Sequence, residues 1–326
     1  MANVFGQTLE RDGKDVKDLN DAYPALKEVA KAKGEPLGLR KACILAIGEF
    51  GSADAIEVLA AVLNEGDTGD MRESAVHAID VLLSKVAESV ALSVPTVNKL
   101  VDMLRDKNVP DELKIAVMKL MARLIRENNT TARNEAFPVI LEMVDPLKAK
   151  NDLLLVAGVE CLGIIGSAEV VVPLKKTYDA YFDARNAQKT GDVAVRQPIM
   201  RALRSVLSVQ GGARTPDTKA VHEATTLLVK AIDDDAAVPV KSSAAYALRY
   251  VYKFDAEHKE TVTALVYLLN STRDEELKKN AVETLNFITG LGYTDEPRRW
   301  FEYIDKKYPG GARKKDEKEK EKVGEK

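Results

Sequence analysis

The sequence contains few of the residues that usually build a catalytic or metal centre. Its 326 residues include three histidines, two cysteines and one tryptophan, and aromatic side chains make up 6% of the chain. Only His222 is followed directly by a glutamate, so a centre that needs several His-Glu pairs cannot be assembled. The P-loop, G-x-S-x-G and C-x-x-C motifs are missing as well. The sequence therefore predicts no catalytic residue, no metal and no cofactor.

Other absences narrow the class of protein. Cys43 and Cys161 lie too far apart for a disulfide and are expected as small core residues. No apolar run reaches the roughly 18–20 residues of a membrane span, and the first residues lack the basic start and apolar core of a signal peptide. The net charge of −3 argues against general nucleic-acid binding. We therefore predict a cytoplasmic protein of bacterial type with no membrane span.

One helical pattern recurs seven times along the chain. Each copy opens with an apolar residue, the anchor, and the residues five and eight positions after it are apolar in every copy, while those at four and seven are mostly small. These offsets trace one stripe along an α-helix, and the small residues allow close packing of a neighbouring helix. A second apolar helix separates the copies, giving a period of about forty residues. The anchors are Leu39, Met71, Leu113, Leu154, Val195, Val240 and Leu277.

The repeat resembles the HEAT family, in particular its bacterial HEAT-like form with a V-R-x-A-A-x-x-A-L-G helix. The matching stretches are Leu39–Gly48 and Val240–Leu248, and the resemblance covers roughly residues 18–290. It implies an all-α protein, an α-solenoid of about seven HEAT-like helix pairs plus a C-terminal capping helix. In that family the basic residue after the anchor pairs with an aspartate in a turn; here an acid precedes every anchor, which we interpret chiefly as helix capping.

The predicted organisation is a single structural domain with two flanking segments. Residues 1–17 are expected to form a flexible lead-in, residues 18–308 a single solenoid, and residues 309–326 a disordered Lys/Glu-rich tail. A terminal helix at about 297–308 carries the single tryptophan, Trp300, and is expected to cover the last repeat. We further expect the fifth anchor helix to begin near Val195, because Pro198 would then fall in the first turn. Residues 210–216 are expected to form a flexible loop.

The most informative surface lies at the positions six, nine and ten after the anchors. The resemblance implies that these positions line the concave face of the solenoid. In the third, fifth and sixth copies they carry basic side chains and tyrosines, residues that often dominate the binding energy of interfaces. Arg126 and Lys253 stand three residues beyond position ten in two of these copies and continue the same surface. With them, the candidate partner-binding residues are Lys119, Arg123, Arg126, Arg201, Arg204, Tyr246, Arg249, Tyr250 and Lys253.

These observations predict a non-enzymatic scaffold that binds a protein or an acidic peptide on its concave face. The runner-up comes from enzymes of similar repeat type: an accessory subunit or enzyme acting on nucleic acid, like DNA glycosylases, or on a chromophore protein, like bilin lyases. The DNA glycosylases of this type place a tryptophan within a concave basic surface, whereas Trp300 lies outside the repeats. The identity of the partner and the oligomeric state do not follow from the sequence.

Overall fold

In a computed structural model, the described residues are 16–52, 54–65, 68–85, 93–148, 151–182 and 190–309. The regular structure in these segments is entirely helical. None of these helices combines the length and the apolar character that crossing a membrane requires. The predicted lead-in at 1–17 and the tail at 309–326 lie almost entirely outside the described residues.

We number the described α-helices in chain order. Their bounds are Val16–Lys31 (α1), Leu37–Phe50 (α2), Ala55–Glu65 (α3), Gly69–Lys85 (α4), Val94–Arg105 (α5), Asp111–Arg126 (α6), Thr130–Val144 (α7), Asp152–Ile165 (α8), Val171–Tyr181 (α9), Thr190–Gly212 (α10), Thr218–Asp234 (α11), Val238–Ala247 (α12), Asp255–Ser271 (α13), Glu275–Thr289 (α14) and Pro297–Lys307 (α15). Two 3₁₀ segments are also present, at Ala168–Val170 and Leu248–Lys253.

The chain divides into two compact units, residues 1–142 and 143–326. In the first unit the anchor helices α2, α4 and α6 pack successively on one another, and α1, α3 and α5 each pack on the anchor helix that follows. The second unit repeats this arrangement, with α8, α10, α12 and α14 as successive anchor helices. Helix α15 packs on α13 at the end of this unit. The predicted all-α repeat architecture is therefore confirmed, whereas one solenoid spanning residues 18–308 stays a prediction.

The apolar stripe forms the core of both units. The residue eight positions after the anchor is buried in all seven copies, and five of the seven anchors are buried too. The first and fourth copies differ: Leu39 is 47% exposed and Leu154 is half-buried. In these copies the next residue, Arg40 or Leu155, is buried in its place. The predicted register therefore holds at position eight in every copy, but the first buried residue of these two helices stands one position later than expected.

Glycine permits a close approach between successive anchor helices at two steps. A Cβ atom added to Gly48 of α2 would lie 2.6 Å from the carbonyl oxygen of Ala78 in α4. At the corresponding step of the second unit, a Cβ on Gly163 of α8 would lie 3.1 Å from the Cα of Ala202 in α10. Both glycines stand nine positions after their anchors and face an alanine at position seven of the next copy. Larger side chains at these two sites would force the helix backbones apart.

A buried ion pair joins the fifth and sixth copies. Arg196, the residue after the fifth anchor, places its Nε 2.9 Å from the Oδ2 of Asp235, and both side chains are fully buried. Arg196 Nη2 donates to Asp235 Oδ1 at 3.2 Å, and Nη1 donates to the carbonyl of Tyr181 at 2.9 Å. Asp235 also accepts hydrogen bonds from the Tyr178 hydroxyl at 3.1 Å and the Ala237 N–H at 2.9 Å. The carboxylate is thus shared by a cation, a phenol and a backbone donor.

The acids that precede the anchors do not all act as helix caps. Asp274 does cap its helix, because its Oδ1 accepts from the Leu277 N–H at 2.8 Å. Asp70 instead lies 3.1 Å from the Lys41 ammonium of the preceding copy, in an exposed ion pair. The Arg196–Asp235 pair is the cation–aspartate pairing that the family resemblance implies, whereas Lys41 stands two positions after its anchor, so the Lys41–Asp70 pair differs from it by one residue. The expectation of capping is therefore incomplete, because a carboxylate in this turn can also reach the helix of the preceding repeat.

Two local expectations are wrong. Helix α10 begins at Thr190, five residues before the expected start, so Pro198 lies inside the helix. A proline at an interior position lacks the N–H donor of a regular helical hydrogen bond, yet the helix continues through it. The same helix continues to Gly212, so the expected loop begins later than residue 210. Gln210 is buried, and its Oε1 accepts from the Asp217 N–H at 2.8 Å, which closes the connection to α11.

The final helix covers the end of the second unit. Trp300 is fully buried, and its indole N–H donates to the Thr294 carbonyl at 2.9 Å. Its ring packs edge-on against Tyr293 with centroids 5.0 Å apart. Phe301 makes a similar edge contact with Tyr267 of α13, at 5.4 Å. The amphipathic face recognised in the sequence therefore packs against the last repeat.

Candidate functional site

The candidate site is built around the end of α12, where the helix changes its period. The α-helix ends at Ala247 and continues as a 3₁₀ segment over Leu248–Lys253. Tyr250 and Val251 are aromatic and β-branched residues, which lose side-chain freedom in an α-helix. A 3₁₀ helix has three residues per turn, so residues three apart point the same way. Arg249 and Tyr252 are therefore brought onto one side of this segment.

A surface cleft, which we call the Tyr246 cleft, follows this side of the second unit. It consists of two adjoining hollows that share Tyr246. The aromatic hollow has a volume of about 340 Å³, and its lining residues are Leu207, Ser208, Gly211, Tyr246, Arg249, Tyr250, Tyr252, Lys253 and Phe287. The polar hollow has a volume of about 210 Å³, and its lining residues are Arg201, Arg204, Ser242, Ser243, Tyr246 and Asn280.

Two arginines approach the Tyr246 ring between the hollows. The guanidinium carbon of Arg249 lies 4.6 Å from the ring centroid and that of Arg204 lies 5.5 Å from it, both within cation–π range. Arg249 also forms an ion pair with Glu283 at 2.5 Å and donates to the Thr284 hydroxyl at 3.2 Å. Contacts on several sides therefore hold Arg249 in place, whereas the only contact assigned to Arg204 among the described residues is with Tyr246.

The aromatic hollow is closed by contacts at its far end. Lys253 donates from Nζ to the Gly211 carbonyl at 2.9 Å, and its ammonium lies 5.5 Å from the Tyr252 ring centroid. Tyr252 packs edge-on against Phe287, with centroids 5.1 Å apart. Phe287 is nevertheless 56% exposed, so this hollow presents apolar ring surface to solvent. The Lys253 charge lies beside that surface.

The polar hollow contains two serines whose oxygens are already used as acceptors. Ser243 Oγ accepts from Gln197 Nε2 at 3.3 Å, and Ser242 Oγ accepts from Asn280 Nδ2 at 2.7 Å. A serine hydroxyl has one hydrogen to donate in addition to its lone pairs. A hydroxyl that accepts through its oxygen can still donate its own hydrogen to a ligand. None of the described residues that line this hollow is acidic.

The predicted residues fall into two groups that lie in different units. All six predicted residues of the second unit line the cleft: Arg201, Arg204, Tyr246, Arg249, Tyr250 and Lys253. The other three belong to α6 in the first unit. There Arg123 is held by Asp80, through an ion pair of 2.7 Å and a hydrogen bond of 2.9 Å to the Asp80 carbonyl. Lys119 and Arg126 are exposed on the same helix.

The sequence prediction missed part of the cleft for two separate reasons. Tyr252 is absent from the candidates because their spacing follows the 3.6-residue period of an α-helix, whereas Leu248–Lys253 form a 3₁₀ segment. Phe287 and Glu283 stand at the same ten and six positions after Leu277, but they are neither basic nor tyrosine, the side chains for which the candidate copies were chosen. Applying the same offsets to every copy would have found both. Ser242 and Asn280 stand at other offsets, and the pattern contained no signal for them.

A family model described as PBS lyase HEAT-like repeat matches residues 39–65, within α2 and α3. This match confirms the resemblance to HEAT-like repeats at the first anchor. No curated protein shows a significant match to the chain.

Many solved structures match the chain, and three engineered or designed proteins are among them. An engineered protein solved by the Northeast Structural Genomics Consortium is 19% identical, with 89% of this chain and 72% of that chain covered and a TM-score of 0.48. A designed armadillo repeat protein in complex with the peptide (KR)4 is 14% identical, covering 82% and 99% with a TM-score of 0.44. A second engineered protein from the same consortium is 16% identical, covering 82% and 98% with a TM-score of 0.40. The described residues are all-α, and residues 39–65 resemble one HEAT-like repeat.

Proposed function

We propose that the protein is a non-enzymatic interaction scaffold that binds an acidic segment of a partner protein in the Tyr246 cleft. HEAT-like repeat solenoids generally serve as protein-interaction scaffolds, because stacked repeats create extended surfaces. The observation that carries the proposal is the juxtaposition of Arg204 and Arg249 on the ring of Tyr246 within one cleft.

The charges in the cleft favour an anionic ligand. Arg201 and Arg204 enter the polar hollow, and Arg249 and Lys253 enter the aromatic hollow. Glu283 offsets the charge of Arg249 through their ion pair, which leaves an excess of positive charge in the cleft. This excess is local, since the whole chain carries a net charge of −3. A complementary acidic segment would be guided to the cleft and held by charge-assisted hydrogen bonds.

The aromatic side chains add the contact area that a peptide needs. Tyr246 and Tyr252 are 37% and 40% exposed, and their contacts with neighbouring cations or rings restrict their orientation. Tyrosine provides a large contact area while losing few rotatable bonds on binding. We therefore expect the bound segment to place an apolar side chain against these rings and a carboxylate near the arginines.

Selection of random peptides tests the proposal without knowledge of the natural partner. Peptides displayed on phage would be panned against the full chain at low salt. We expect the enriched sequences to be rich in Asp and Glu, and a labelled synthetic copy to bind more weakly as salt is added, because screening weakens exposed ion pairs. Enrichment of basic or purely apolar peptides, or of none, would contradict the proposal.

A pair of charge-reversal variants locates the binding. The change Arg201→Glu with Arg204→Glu should weaken the selected acidic peptide at least about tenfold, as expected when attraction becomes repulsion. The control, Arg105→Glu with Arg273→Glu, makes the same change in net charge at two exposed arginines outside the cleft. Equal weakening by both variants would indicate a non-local charge effect. Melting temperatures of both variants would show that the fold is intact.

A further inference from the structure

The polar hollow has a chemical character that a carboxylate alone does not satisfy. Its described lining includes two guanidinium groups and two serine hydroxyls but no acidic side chain. One carboxylate is satisfied by one arginine, because its two oxygens match the fork of a single guanidinium. The hollow therefore offers one cation and two hydroxyl donors more than a single carboxylate uses.

The donors of the hollow come from two successive anchor helices. Arg201 and Arg204 are three residues apart on α10, which places them on the same face of that helix. Ser242 and Ser243 belong to α12, and the amides of Asn280 and Gln197 already occupy their oxygens as acceptors. The hydroxyl hydrogens are therefore the groups that remain for a ligand. A group bound here would meet donors from both sides.

We infer that the polar hollow binds a phosphoryl group carried by a phosphorylated side chain of the partner segment. This inference rests on the proposed function, and it specifies the chemistry of the segment. A phosphorylated residue carries about −1.5 to −2 charges and three strong acceptor oxygens. Two arginines neutralise that charge, and the serine hydroxyls and the remaining guanidinium N–H groups satisfy the oxygens. The neighbouring aromatic hollow then receives an apolar side chain of the same segment.

Three pools of labelled peptides test this inference. The pools have the same degenerate flanking positions and differ only in the central residue, which is phosphoserine, aspartate or serine. We expect fluorescence anisotropy to show that the phosphoserine pool binds the full chain at least about tenfold more tightly than the aspartate pool, because charge-assisted bonds to a dianion are stronger and more numerous. Equal binding of the phosphoserine and aspartate pools, both above serine, would overturn the phosphoryl inference and leave the acidic-segment proposal standing. Binding of neither above the serine pool would overturn both.

Conservative variants separate the geometry of the hollow from its charge. The change Arg201→Lys with Arg204→Lys keeps both charges and removes both planar forks, so the advantage of phosphoserine over aspartate should disappear. The same changes at Arg105 and Arg273 serve as the control and should leave the advantage intact. The double change Ser242→Ala and Ser243→Ala should reduce the advantage without abolishing binding of the aspartate pool. An unchanged advantage in both cleft variants would overturn the assignment to this hollow.

Inorganic phosphate distinguishes a peptide-borne group from the free ion. Free phosphate should displace the phosphoserine pool only at much higher concentration than the unlabelled peptides, because it makes no contact with the aromatic hollow. Displacement at the same concentration would mean that the hollow binds the free ion, and would overturn the peptide source.

Discussion

The buried pair Arg196–Asp235 allows a quantitative prediction about what holds the second unit together. Replacing Asp235 by alanine leaves the Arg196 guanidinium buried without its carboxylate, and removes the acceptor of the Tyr178 hydroxyl and of the Ala237 N–H. Breaking a buried pair by removing one partner costs about 3–5 kcal/mol, because the remaining charge has lost its compensation. We expect Asp235→Ala to fall in this range.

Urea unfolding of the second unit can be followed through Trp300, the single tryptophan of the chain, which is buried in that unit. With a slope of about 2 kcal/mol per molar urea, the expected loss lowers the midpoint by about 1.5–2.5 M. Asp179→Ala provides the matched control, because Asp179 pairs with Lys230 at 2.6 Å while both side chains remain about 40% exposed. An exposed pair contributes about 0.2–1 kcal/mol, so its midpoint should shift by about 0.1–0.5 M. Similar midpoints for the two variants would refute the reasoning that burial decides the cost.

Two further predictions concern packing and ionisation. Gly48→Ala should lower the thermal stability of the first unit, because the new Cβ would lie 2.6 Å from the Ala78 carbonyl oxygen. The control is Gly38→Ala in the same helix, where a new Cβ has no atom within 4 Å, and this change should be neutral or stabilising by up to about 1 kcal/mol. Equal melting curves of the two variants by circular dichroism would show that the contact at Gly48 is not tight. Burial, reinforced by the nearby Asp235 carboxylate, raises the pKa of Tyr178 well above its usual value. At pH 11 the folded protein and its Tyr178→Phe variant should therefore show the same phenolate absorbance at 295 nm. An extra ionised tyrosine in the parent protein would contradict this.

The repeat could be predicted from the sequence because its signal is redundant. Seven copies carry the same apolar offsets, and the most regular of them, eight positions after the anchor, is buried everywhere. An individual helix end carries no such redundancy. The predicted start of α10 near Val195 was wrong because it depended on a single residue, Pro198, and a proline does not always stand in the first turn of a helix. Burial of a periodic face can compensate for one missing hydrogen bond, and a sequence does not show how deeply that face is buried.

The candidate cleft was predictable only as far as the α-helical period holds. The face at offsets six, nine and ten contains Arg201, Arg204 and Tyr246, which do line one hollow. Beyond Ala247 the tighter 3₁₀ period brings Tyr252 into the cleft, and the sequence has no marker for that change. The tertiary structure also decides which acidic residue, if any, an arginine pairs with. Nothing in the sequence indicated that Arg123 would pair with Asp80 while Arg204 would face a cleft.

The residue nine positions after the anchor has a consequence for how such a protein can evolve. At Gly48 and Gly163 this position admits the backbone of the next helix, whereas in the fifth and sixth copies the same position holds Arg204 and Arg249 beside an open hollow. The residue at this position thus differs between two closely packed junctions and two junctions beside a hollow. Substitutions at this position would change the surface of one junction at a time and leave the apolar stripe that maintains folding untouched.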